Sequence, residues 1–135
     1  MSATPLADLT EKEWSDQLVG TEGKPGLART LGWGPCYHTL RSKGSVSGFP
    51  DWVLVRERVV FLELKTETGK VSDSQRVWIQ AMHRGGAEVY VVRPRHLEEI
   101  AAVLTYRNSA MPPMWRYDFP NFALSDELES VLQSR

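Results

Sequence analysis

The chain has 135 residues and a mass of 15.3 kDa, enough for one domain. Its 41% hydrophobic and 24% charged residues exclude a disordered chain, and a net charge of -1 excludes nucleic-acid binding by bulk charge alone. The single cysteine, Cys36, excludes an internal disulfide and a cysteine-based zinc cluster. No apolar run reaches transmembrane length, and Met1 to Leu9 lacks the basic start and apolar core of a signal peptide. The expectation is a cytoplasmic protein without membrane contact.

Thr10 with Glu13 forms a capping-box pattern, and Trp14, Leu18 and Val19 follow at helical spacing. Gly20, Gly23 and Pro25-Gly26 interrupt it, and Leu27 to Leu31 either resumes the same helix or forms a second one. Cys36 to Leu40 is a short strand candidate, followed by a Gly- and Ser-rich loop over Arg41 to Pro50. Asp51 to Val55 and Val59 to Lys65 are the clearest strands, paired as a hairpin around Arg56-Glu57-Arg58. Ser72 with Gln75 is a second capping box, opening a helix that Gly85-Gly86 stops. Ala87 to Val92 reads as a buried strand, and Pro94 starts a helix through Leu104. Thr105 to Phe122 shows no periodicity, and Ser125 is expected to cap a last helix. This order implies an α/β fold, a mixed central sheet flanked by helices.

Strand side chains alternate between faces. Val60, Leu62 and Leu64 therefore point to one side, and Phe61, Glu63 and Lys65 to the other. A turn centred on Glu57 places Asp51 opposite Glu63. Two carboxylates a few ångströms apart repel unless a cation or a proton sits between them. Mg²⁺ takes one or two carboxylates together with waters and phosphate oxygens. A bound ion lowers the pKa of a water and clamps the phosphate, while Lys65 beside it stabilises charge developing on phosphorus. These residues suffice for phosphodiester hydrolysis.

Pro50-Asp51 followed by Glu63-Leu64-Lys65 resembles the PD-(D/E)xK nuclease signature. Lys43-Gly44, Gly48-Phe49-Pro50-Asp51, Glu63 to Glu67, Ser72, Gln75, Trp78 and Gly86 to Val92 together resemble its VRR-NUC branch. The resemblance implies a restriction-endonuclease-like fold, with residues 1–104 as the nuclease core. Residues 105–135 would be an irregular segment plus a helix, packed on the core or at a dimer interface. It implies Asp51 and Glu63 as metal ligands, the Leu64 backbone carbonyl as a third, Lys65 as the catalytic lysine and Gln75 pointing into the site. Glu13 matches a further acidic position of the family. The implied activity is a Mg²⁺-dependent DNA endonuclease, with Mn²⁺ as a substitute, acting on branched DNA such as Holliday junctions or flaps as a homodimer. An inactive or complex-dependent DNA-binding module of the same fold is the alternative.

Residues 23 to 50 contain no Asp or Glu. Within and after this stretch, His38, Arg41, Lys43, Ser45, Lys70 and Arg76 are the candidate DNA contacts, with Arg84, Arg93 and Arg95 extending the groove. His38 at a strand end is a phosphate contact or a structural residue rather than the general base. His83 and His96 read as surface residues. Trp14, Trp33, Trp52 and Trp78 read as core, and Trp115 as packing the tail.

Overall fold

The computed structural model describes residues 4–39, 46–106 and 123–133. Arg41, Lys43, Ser45 and Trp115, like the segment 107–122, lie outside the described residues. The centre of the sheet is Val59–Leu64 (β3), whose β-branched and aromatic residues suit a pleated surface. Trp52–Val55 (β2) pairs with it antiparallel, Trp52 opposite Leu62 and Val55 opposite Val59, the register expected from a turn at Glu57. Cys36–His38 (β1) lies antiparallel to β2, and Glu88–Val92 (β4) lies parallel to β3. The sheet is therefore mixed, in the order β1-β2-β3-β4. The parallel pair needs a crossover, and the helix Asp73–Arg84 (α3) supplies it.

Each sheet face buries one set of alternating residues. Val60, Leu62 and Leu64 pack with Trp14 and Leu18 of Glu11–Leu18 (α1), Ala28 of Leu27–Thr30 (α2), and Ile100 and Leu104 of Leu97–Thr105 (α4). On the other face, Phe61, Val89 and Val91 meet Ile79 and Met82 of α3, and Leu128 and Val131 of Ala123–Gln133 (α5). The buried tryptophans satisfy their polar edges. Trp14 Nε1 donates to the Val92 carbonyl (3.0 Å), Trp33 Nε1 to the Leu104 carbonyl (2.8 Å) and Trp52 Nε1 to Ser15 Oγ (2.9 Å). Trp78 is half-buried and lies edge-on to Phe49. Among the described residues, no helix is long and apolar enough to cross a membrane.

Both capping boxes form, at Thr10 and at Ser72. Of the two readings of the first helical stretch, the second holds: two helices, separated by a bridge between Gly20 and Pro25. The expectation for the C-terminal helix needs correction. The last helix starts at Ala123, so Ser125 lies inside it. The Ala123 and Leu124 amides donate instead to the Glu99 carboxylate, at 3.2 and 2.6 Å. A carboxylate from a neighbouring helix thus does the capping, which no local pattern reveals.

Arg56 and Arg58 are more than a strand connection. Arg56 donates to the Leu31 and Tyr106 carbonyls, Arg58 to those of Val103 and Tyr106, and both guanidiniums lie over the Trp33 ring. They satisfy carbonyls left open where α2 and α4 end.

His96 is buried at 0% exposure rather than on the surface. Its Nδ1 accepts the Arg93 amide (2.9 Å) and so fixes the turn between β4 and α4. Burial, reinforced by Arg95, depresses its pKa to about 4.

Candidate active site

The site forms where β3 runs out of the sheet and β2 begins. Glu63 lies next to Val91 on the α3 face and is fully buried, at 0% exposure. Its Oε2 accepts from Gln75 Nε2 at 2.9 Å and lies 3.9 Å from Lys65 Nζ. Its Oε1 is buried and meets no donor, while the protonated acid hydrogen-bonds the Asp51 carboxylate. Burial first, and the negative charge of Asp51 second, push its pKa up to about 9 against the opposing pull of Lys65. The uncharged form of Glu63 is therefore favoured at neutral pH.

Asp51 lies one residue beyond the last β2–β3 ladder pair. Its Oδ2 accepts the Leu64 amide at 2.9 Å, so the carboxylate continues the hairpin where the backbone ladder stops. Its peptide is clamped from β1: the Thr39 amide donates to the Asp51 carbonyl (2.8 Å) and Thr39 Oγ1 to the Pro50 carbonyl (2.6 Å). From the other side the preceding loop rests on α3, where Ser47 Oγ and Ser74 Oγ are 3.1 Å apart. At Gly48, φ is +91°, and an added Cβ would lie 2.4 Å from the Ser74 carbonyl carbon.

Gln75 carries two roles in one side chain. Its Oε1 accepts the Ser72 amide (2.8 Å) as part of the capping box, and its Nε2 holds Glu63. The one side chain thus joins the start of α3 to the buried carboxyl of β3. Lys65 is buried, and its amide donates to the Val92 carbonyl (3.1 Å), so the strand pairing reaches the lysine itself.

The structure brings together Asp51, Glu63, Lys65 and Gln75. It does not bring Glu13 to them. The Glu13 carboxylate accepts the Thr10 amide at 3.1 Å, a contact that also lowers its pKa. Glu11, in the same turn of α1, is the weakest of the charges acting on Glu63. Among the described residues no group of three or more His, Cys, Asp or Glu side chains gathers.

His38 stacks on Trp52 with ring centroids 4.5 Å apart, on the sheet face opposite Glu63. Lys70 is exposed in the loop after Lys65, and Arg76 follows Gln75 on α3. Arg84 ends that helix, far from Gln75. Arg93 is buried and ion-paired with Glu127, and it donates to the Thr66 and Gly69 carbonyls. It ties down the loop after Lys65 instead of extending an open groove.

The residues fit a divalent cation. A buried carboxylate oxygen meets no donor, a second carboxylate stands beside it, and all ligand atoms are hard oxygens. The VRR-NUC domain family model matches residues 9–96. The chain belongs to the VRR-NUC domain family. It is therefore a nuclease-type DNA-processing domain with DNA as its substrate and a restriction-endonuclease-like fold. The VRR-NUC match spans all four strands and α3 and stops before α4 and α5. Comparison with curated proteins and with solved structures returned no match.

Proposed function

We propose that this protein is a Mg²⁺-dependent endonuclease that hydrolyses phosphodiester bonds in structured DNA such as Holliday junctions or flaps. The observation that carries this reading is the buried Glu63, with one oxygen that meets no donor, beside Asp51 and within reach of Lys65 and Gln75. Asp51, Glu63 and the Leu64 carbonyl would hold the ion. Mn²⁺ would substitute. A bound ion supplies a more acidic water and neutralises phosphate charge. Gln75 holds one Glu63 oxygen and leaves the other free for the ion. Lys65 places a positive charge where negative charge develops as water adds at phosphorus and the P–O bond breaks. Nothing in this set reads base edges, so selectivity would come from DNA shape. Symmetric cutting of a junction needs two sites related by a two-fold axis, hence a homodimer. Residues 1–104 would form the working core, in the cytoplasm.

The test is incubation with a four-way junction, a flap, linear duplex DNA and RNA, each with Mg²⁺, Mn²⁺ or EDTA. The expected result is cleavage of the branched DNAs with either metal and none in EDTA. Binding without cleavage under every metal condition would instead favour an inactive or complex-dependent module.

A further inference from the structure

A cleft of about 520 Å³ lies beside the site, between the loop after Lys65 and α5. That volume is in the range of pockets that take small ligands. An added Cβ on Gly69, in its wall, would lie 3.7 Å from Cδ of Lys65, so cleft and catalytic lysine are neighbours. Its charged lining is Lys70, Arg76, Arg93 and Arg95 against Glu67 and Glu127. The two acids are already engaged. Glu127 is held by Arg93 and Arg95, and Glu67 accepts the Arg95 amide at 3.0 Å. Arg93 is likewise committed, to Glu127 and to the Thr66 and Gly69 carbonyls.

Lys70 and Arg76 are the lining cations outside that network. Arg76 pairs with Asp73, whose side chain is almost fully exposed, a type of pair that contributes little. Among the described residues Lys70 makes no ion pair. A cleft with surplus positive charge and low-dielectric walls concentrates anions.

We infer that this cleft binds an internal phosphodiester of the substrate strand adjacent to the one that is cut. Its far wall is α5, which lies outside the residues shared with the VRR-NUC family, so this chain's own tail completes the subsite. The inference rests on the endonuclease reading and assigns part of its substrate contact.

The test is equilibrium binding of fluorescent duplex DNA by the full chain in EDTA, across a salt series, so that it does not depend on cleavage. Lys70→Ala and Arg76→Ala should each make the log–log salt slope shallower by about 0.9, one phosphate contact apiece. Ser130→Trp, which fills the cleft from α5, should weaken binding by about tenfold without lowering the melting temperature. Lys12→Ala, an exposed cation on α1 across the sheet from the cleft, should match wild type. If the cleft variants bind with the wild-type slope and affinity, or if Lys12→Ala changes both as much, the subsite is wrong. Should wild type bind and cut while the cleft variants are unaltered, only the subsite fails; should it neither bind nor cut, the endonuclease reading fails with it.

Discussion

Glu63→Gln is expected to lower cleavage by about a thousandfold or more while making the metal-free protein more stable. In wild type the buried carboxyl has its pKa pushed up to about 9, from an unfolded value of 4.5. Folding then takes up a proton at any pH between those values. The stability this group allows is fully present below pH 4.5 and is lost as pH rises toward 9. Glutamine has no such titration and keeps the same shape. At pH 7 the gain should be on the order of 3 kcal/mol, near zero at pH 4.5 and largest near pH 9. Mg²⁺ should reverse the ranking, because a cation bound to the ionised carboxylate stabilises only wild type. Melting temperatures in EDTA and in Mg²⁺ at pH 5, 7 and 8.5 check this. A variant that is less stable than wild type in EDTA at pH 8.5, or that still cuts, contradicts it.

Gly48→Ala is the second large effect. The residue has φ of +91°, and an added Cβ would lie 2.4 Å from both the carbonyl carbon and oxygen of Ser74. A left-handed alanine alone costs about 1–2 kcal/mol. Worse, the loop leading to Pro50-Asp51 must lift off α3, the helix that carries Gln75. Misplacement of reacting groups by about 1 Å costs on the order of a hundredfold in rate. The expected result is a melting temperature lower by several degrees together with at least that loss of activity. Gly23→Ala, where an added Cβ meets nothing within 4 Å, should leave both unchanged. Equal activity in Gly48→Ala and wild type would show that the loop does not set the position of Asp51.

The hairpin and its site were legible because they rest on local rules. Strand alternation separated Glu63 and Lys65 from Val60, Leu62 and Leu64, and the short turn at Glu57 fixed the pairing of Trp52 with Leu62. Thr10–Glu13 and Ser72–Gln75 announced helix starts because a capping box is closed within four residues. What stayed hidden depends on tertiary contacts. Arg56, Arg58 and Arg93 read as turn or groove cations, yet each reaches backbone carbonyls far along the chain. His96 read as a surface residue because its partner, the Arg93 amide, forms only when Pro94 starts a 3-10 turn.

The most direct measurement is the single-turnover cleavage rate of a branched DNA in Mg²⁺ by wild type and by Lys65→Ala, with each variant's fold checked by thermal melting. Lys65 Nζ lies 3.9 Å from Glu63, so removing it takes positive charge from the site and leaves both carboxylates in place. The expected result is a rate lower by about a hundredfold or more with DNA binding retained. Cleavage by Lys65→Ala at the wild-type rate would contradict the assignment of the site.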